Sequence, residues 1–157
     1  MSFTIQQVQA DDLPTIYEMM LELARHVYGS DYKIKISLEK LKKDFCRDPA
    51  AFSAVLVKDG NTAIGYAIYC FKYLSWTGEF LYLDDLYIKP ECRSSGIGRK
   101  LISHLAQIAS EQGCAGMEWY VENSNGRAIK FYETFGLKTL IGTSIFRCKE
   151  LSKLESN

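Results

Sequence analysis

The run from Asp84 to Leu101 (Asp-Asp-Leu-Tyr-Ile-Lys-Pro-Glu-Cys-Arg-Ser-Ser-Gly-Ile-Gly-Arg-Lys-Leu) constrains this chain more than any other part of it. A β-rich segment stops at Pro90, a loop of small residues follows, and an amphipathic helix begins near Ile97. A helix N-terminus presents backbone N–H groups without intrahelical partners and a partial positive charge. Gly96 and Gly98 remove the side chains that would keep a phosphate away from that backbone, and Arg93, Arg99 and Lys100 add positive charge. The junction therefore reads as a pyrophosphate site. It is not the nucleoside-triphosphate loop, because no GxxxxGK precedes a Ser or Thr. It is not the dinucleotide fingerprint either, because Leu101 stands where a third glycine is needed.

Hydrophobic periodicity supplies the frame around this junction. Phe3–Gln9 alternates as a strand, and Leu13, Ile16, Tyr17, Met20, Ala24 and Val27 form one helical stripe ending near Gly29. Asp11 or Asp12 is expected to cap that helix, with Pro14 in its first turn. Ser37–Cys46 repeats the helical pattern before Pro49. Phe52–Lys58, Thr62–Tyr73 and Glu79–Lys89 read as three strands joined by turns, an antiparallel meander. Ile97–Gln112 is a helix, Gly116–Glu122 a strand, and Ala128, Phe131, Tyr132 and Phe135 mark a further helix. Leu137–Ile141 and Ser144–Cys148 read as two closing strands. A strand–helix–strand passage after Glu79 requires a parallel pairing. The expected fold is α/β, one domain over residues 1–157, with a mixed central sheet of about seven strands and about four helices on both its faces.

Composition narrows the function classes. The 47% hydrophobic and 24% charged fractions over 157 residues suit a folded domain with its own core. Lys plus Arg equals Asp plus Glu at 19 each, so a nucleic-acid partner, which asks for a basic surface, is not expected. The first residues lack a basic segment followed by an apolar one, and no apolar run approaches the roughly 18 residues of a membrane span, so a cytoplasmic setting and no membrane partner are expected. Cys46, Cys70, Cys92, Cys114 and Cys148 lie too far apart for a short-spaced metal site and suggest ordinary thiols in a reducing compartment. No metal is expected.

Arg93-x-x-Gly96-x-Gly98 at a strand–loop–helix junction resembles the acetyl-CoA motif of the GNAT N-acetyltransferase superfamily. Asn125-Gly-Arg-Ala-x-x-Phe131-Tyr132-x-x-x-Gly136 is similar to the motif that follows it in that family, and the order of elements agrees over nearly the whole chain. Gly65-Tyr-Ala-x-Tyr69-x-Phe71, Trp76-x-Gly78 and Leu81-Tyr-Leu-Asp84-Asp85 carry a closer likeness to the diamine branch, the spermidine/spermine and thialysine acetyltransferases.

The resemblance implies direct acetyl transfer from acetyl-CoA to a small primary amine: a diamine, a polyamine or a lysine-like amino acid. Tyr132 falls at the position of the acid that protonates the CoA sulfur; with an ordinary pKa of ~10 it is a neutral donor at pH 7. Asp84 falls where the diamine enzymes carry a Glu that takes the amine's proton, and being shorter it favours a water relay. Asp85 would be a second carboxylate for the cation. A strand bulge is expected near these two. The backbone of Leu86, Tyr87 and Ile88 would hold the pantetheine arm, Arg93, Ser94, Ser95, Gly96, Ile97, Gly98 and Arg99 the pyrophosphate, and Asn125, Gly126, Arg127 and Ala128 further parts of CoA. His26, Val27, Trp76, Glu118 and Tyr120 fall in the substrate region. Val27 and Leu74 are apolar where polyamine enzymes carry acids, and Glu118, Tyr120 and Glu122, alternating on one strand, are expected to offer replacement carboxylates from one face. The relatives are commonly homodimers, so a homodimer is expected.

Two rival readings share the loop: a catalytically silent CoA-binding module, and an acetyltransferase acting on peptide amines. The charge pattern favours two adjacent ligand fields. Glu79–Ile88 holds three acids and no base, and Lys89–Lys100 holds four bases against one acid. A block suited to a cationic amine thus runs directly into one suited to a phosphorylated ligand.

Overall fold

A computed structural model describes residues 2–136 of the chain. The chain divides into two compact units, Met1–Tyr120 and Val121–Asn157. The first contains β1 (Phe3–Gln7), α1 (Leu13–Tyr28), α2 (Leu38–Cys46), β2 (Ser53–Asp59), β3 (Thr62–Leu74), β4 (Gly78–Ile88), α3 (Ile97–Glu111) and β5 (Gly116–Trp119). The second contains α4 (Gly126–Glu133). The two closing strands expected over Leu137–Ile141 and Ser144–Cys148 lie outside the described residues, which carry a five-stranded sheet in the order β1-β2-β3-β4-β5. The first three pairings are antiparallel and β4–β5 is parallel, giving the mixed sheet expected.

Local chemistry sets the helix starts, with one departure from expectation. Asp12 does not cap α1 with its side chain. Its carboxylate instead accepts the Gln9 backbone N–H at 3.0 Å, closing a 3-10 turn over Ala10–Asp12 that leads into the helix. Ser37 caps α2, its hydroxyl accepting the Lys40 N–H at 3.2 Å.

The two sheet faces bury different helices. Ala54 and Leu56 of β2, Tyr66 and Ile68 of β3 and Tyr87 of β4 pack with Leu13, Ile16 and Met19 of α1 and Leu41 of α2. Each of the leucine, isoleucine and methionine side chains among them contributes about 1.5–3 kcal/mol on leaving water. Met19, rather than Met20, is the fully buried methionine of α1, and Val27, expected on the buried stripe, is 41% exposed. The opposite face carries Val55 and Val57, and there the Lys100 ammonium of α3 sits 5.1 Å from the Phe3 ring centroid. Ile97, Leu101 and Leu105 are the buried stripe of α3.

Two irregularities shape β4. Ile68 pairs with Asp85 and Tyr69 with Leu83, leaving Asp84 as one extra residue in β4: the bulge expected near this pair. It reverses the alternation. Leu81 and Leu83 share the α3 side with Tyr69 and Phe71, whereas Asp85 and Tyr87 share the α1 side with Ile68 and Tyr66. Further along, Gly65 opposes Ile88 so closely that a Cβ on it would lie 2.6 Å from the Tyr87 carbonyl oxygen and 2.6 Å from Ile88 Cδ1.

Candidate active site

The bulge also ends the neighbouring ladder. β5 pairs with β4 from Phe80–Gly116 to Leu83–Trp119, and the next residue of β4 is Asp84. β5 therefore stops at Trp119, short of the expected Glu122, so Tyr120 and Glu122 are not alternating members of a strand. An extra residue bends its strand and raises the local twist, so a parallel neighbour cannot stay in register across it. From Asp84 to Ile88, β4 is paired on one side only among the described residues, by β3. The backbone of Leu86, Tyr87 and Ile88 thus has a strand edge to offer an extended ligand.

Asp85, on the α1 side of the bulge, accepts a hydrogen bond from the Tyr66 hydroxyl at 3.2 Å. Burial pushes the Asp85 carboxyl up to about 6; the neighbouring charge of Asp84 adds to the rise and the Tyr66 bond opposes it. Asp84 itself is exposed. The bulge therefore presents two carboxylates of different character, one held in the protein and one facing water.

At the end of β4 a 3-10 turn over Pro90–Cys92 redirects the chain toward α3. Ser94 (φ 65°) and Gly96 (φ 81°) are both left-handed, with Ser95 between them donating from its hydroxyl to the Cys92 carbonyl at 2.6 Å. A non-glycine residue in this region is uncommon, so Ser94 stores backbone strain where the loop meets the helix. The outcome is a small-residue turn at the N-terminus of α3, a setting that suits an anion. Ile97 is buried, so what it can give a ligand is its backbone. Gly98 and Arg99 lie in the first turn of α3.

Arg93 has partners of its own. Its Nε donates to the Ile88 carbonyl at 2.8 Å, its guanidinium carbon lies 5.7 Å from the Tyr87 ring centroid, and Nη1 is 3.4 Å from Nε2 of His26. Tyr87 donates to Glu22 at 2.9 Å, and burial, with that bond second, pushes its phenol up to about 12. The C-terminal half of α1 is thereby tied to the last turns of β4 and the loop. This joins His26, placed by resemblance with the substrate, to Arg93, placed by resemblance with the cofactor. Glu22 and Tyr66 were not singled out in the sequence. The alternation of β3 puts Tyr66 on the Ile68 face, but only the bulge brings Asp85 to that same face.

The remaining substrate candidates separate. Glu118 is ion-paired with Lys72, Nζ to Oε1 at 2.5 Å. Tyr120 is 58% exposed and its ring centroid lies 5.7 Å from that of Tyr82. Trp76 is 97% exposed at the β3–β4 turn, so it neither walls a cavity nor packs the hairpin among the described residues. In the second unit, Asn125 caps α4 by accepting the Ala128 N–H at 3.1 Å, which fixes Gly126, Arg127 and Ala128 as the helix's first residues. Tyr132 follows on α4 with its ring 5.1 Å from that of Phe131, and burial pushes its phenol up to about 12.

The described residues include no group of three or more His, Cys, Asp or Glu that could hold a metal ion, and no helix long and apolar enough to cross a membrane.

The acetyltransferase (GNAT) family model matches residues 14–137. A thialysine N-epsilon-acetyltransferase from Sus scrofa is 34% identical over 147 residues, covering 88% of this chain and 86% of that protein. A spermidine/spermine N(1)-acetyltransferase-like protein from Homo sapiens is 31% identical over 154 residues, covering 92% of this chain and 22% of that longer protein. Among solved structures, an integron cassette protein from the mobile metagenome of V. cholerae superposes with a TM-score of 0.83 at 24% identity, covering 100% of this chain and 99% of that one, which is a likeness of fold.

Proposed function

This chain belongs to the acetyltransferase (GNAT) family and is an acyltransferase, and from that premise we propose that it moves acetyl from acetyl-CoA to a small primary amine, a diamine or a lysine-like amino acid. The reading takes residues 1–157 as one catalytic domain, working in the cytoplasm as a homodimer.

The observation that carries it is the bulge at Asp84. It turns two adjacent carboxylates to different surroundings, ends the β5 ladder, and leaves the Leu86–Ile88 edge leading straight to the left-handed loop at α3. Acetyl-CoA, when bound, supplies an activated thioester. The residues fit it in two places. The one-sided edge of β4 suits an amide-bearing arm laid on as a further strand, and the Ser94–Arg99 turn suits a pyrophosphate.

The chain's own groups then divide the proton work. An amine arrives as an ammonium, with an ordinary pKa of ~10.4, and must lose a proton before its nitrogen can attack. Asp84, exposed at the bulge, receives that proton through water and passes it to solvent. Asp85 holds the cation beside it. As the amine nitrogen bonds the acetyl carbonyl carbon and the carbon–sulfur bond breaks, Asp84 also takes that nitrogen's second proton through water and passes it to solvent, while Tyr132 gives a proton to the departing sulfur and regains one from solvent. The likeness to thialysine N-epsilon-acetyltransferases and to a spermidine/spermine N(1)-acetyltransferase-like protein supports this class of acceptor.

The test is incubation of the purified full-length protein with acetyl-CoA and a mixture of diamines, polyamines, lysine, thialysine and a lysine-containing peptide. Thiol release gives the rate and product mass gives the acceptor. Acetylation of a free small amine is the expected result; acetylation of the peptide alone would replace this reading with that of a protein acetyltransferase.

A further inference from the structure

The sheet face that carries Asp85 continues past the helices into an unusual arrangement of charge. Register places Ile68, Cys70 and Lys72 of β3 on this face, with Asp85 opposite Ile68, Tyr82 opposite Cys70, and Glu118 of β5 opposite Tyr82. Lys72 reaches diagonally to Glu118, its Nζ 2.5 Å from Oε1. The same Nζ lies 5.8 Å from the Tyr82 ring centroid, and Tyr82 in turn packs against Tyr120. The result is one cation and one anion side by side, backed by two aromatic rings.

The pair keeps spare capacity. An ammonium has three donors and a carboxylate has several lone-pair sites, and one contact uses few of them. The side chains remain 42% and 26% exposed, so a ligand can reach both. An ion pair this exposed adds little stability, so separating or widening it to admit a ligand costs little.

A free amino acid carries the complementary pattern, with its α-carboxylate and α-ammonium on one carbon. A diamine does not. Its second ammonium would meet the Glu118 carboxylate but also the like charge of Lys72. The spacing agrees with this. The Glu118 level lies two paired positions along the sheet from the Asp85 level, about 7 Å at the usual rise per residue. A lysine-like side chain separates its terminal nitrogen from its α-carbon by a similar span, about 6 Å. A substrate whose reacting amine rests by Asp84 and Asp85 thus brings its far end to Lys72 and Glu118.

We infer that Lys72 and Glu118 together read the α-carboxylate and α-ammonium of a lysine-like amino acid, and so select it over the diamine of the same length; this rests on the small-amine reading given above. Glu118 keeps the substrate role expected of it, and Lys72 joins it as a specificity-determining residue.

L-Lysine and cadaverine separate the possibilities, because they differ only in the α-carboxylate. With full-length protein and acetyl-CoA, the ratio of kcat/KM for lysine to that for cadaverine is expected to exceed 10. Lys72→Met lowers the ratio at least tenfold, Lys72→Arg retains it and serves as the folded control, and Lys72→Glu inverts it. A wild-type preference for cadaverine, or a ratio indifferent to residue 72, overturns the role of this pair and leaves the small-amine reading standing. Failure of the wild type to acetylate any free amine, with a peptide acetylated instead, overturns both.

Discussion

The Tyr66 hydroxyl donates to the Asp85 carboxylate at 3.2 Å, across the β3–β4 ladder and directly beside the bulge residue Asp84. Burial nevertheless dominates this carboxyl and holds it at about 6, above its ordinary 3.8. Between those values the folded protein binds the proton more tightly than the unfolded chain does. Folding stability linked to Asp85 is therefore complete below about pH 4 and falls as pH rises toward 6, leaving a standing cost at neutrality. Asp85→Asn removes the charge and retains an acceptor for Tyr66. It is expected to raise the unfolding free energy by about 1–2 kcal/mol at pH 7 and to leave it nearly unchanged at pH 4. Urea unfolding at the two pH values measures this, and equal effects at both would show that Asp85 is not held under strain of charge.

The same hydrogen bond is a restraint on the carboxyl, because it favours the ionised form. Tyr66→Phe takes it away and keeps the ring. The Asp85 carboxyl is then expected to titrate above 6, and the variant to lose about 1–2 kcal/mol at pH 7, where the charge stays buried without its donor. Carbon-detected NMR titration of the carboxyl reads the first, and urea unfolding the second. A titration that stays in place would show that the bond carries no electrostatic weight.

What the sequence made legible, and what it did not, divides by distance along the chain. The strand–helix order, the meander and the parallel β4–β5 pairing follow from period and turn chemistry, which are local. The Ser94–Gly98 loop was visible because glycines and a helix start stand next to each other. Tyr66–Asp85, Glu22–Tyr87, His26–Arg93 and Lys72–Glu118 were not visible as pairs, since their partners lie 19, 65, 67 and 46 residues apart. They depend on register, and one extra residue at Asp84 exchanges the two faces of β4 for everything beyond it. The same bulge explains why alternation of Glu118, Tyr120 and Glu122 misled: pairing stops at Trp119. Asp12 misled for a different reason, because its carboxylate serves the turn before the helix rather than the helix itself.

Gly65 has no ligand to meet and still controls the candidate cofactor edge. A methyl group there would collide with the Tyr87 carbonyl oxygen and Ile88 Cδ1, both at 2.6 Å. One contact is with backbone, which cannot swing aside, so β3 and β4 must part beside Leu86–Ile88. Gly65→Ala is expected to cost about 1–3 kcal/mol in urea unfolding, the range for overfilling a packed site. It should also raise the KM for acetyl-CoA several-fold with a smaller change in kcat, because the displaced backbone is proposed to bind that arm. An unchanged KM would mean that the edge is not where the arm lies.

Tyr132 gives the sharpest separation of binding from chemistry. Its phenol, pushed up to about 12 by burial, keeps its proton throughout the neutral range and well into the alkaline one. The folded protein holds that proton more tightly than the unfolded chain, so stability linked to Tyr132 is complete below pH 10 and declines only as pH rises from there toward 12. Removing the hydroxyl therefore has no charge-related effect on folding at pH 7. Tyr132→Phe is expected to bind CoA as the wild type does, while kcat falls about 10²-fold, the lower end of what one positioned proton donor contributes. Calorimetric titration with CoA and thiol release under saturating amine measure the two quantities on the same preparation. Loss of CoA binding would recast Tyr132 as a structural residue of α4, and full kcat would assign the sulfur's proton to water.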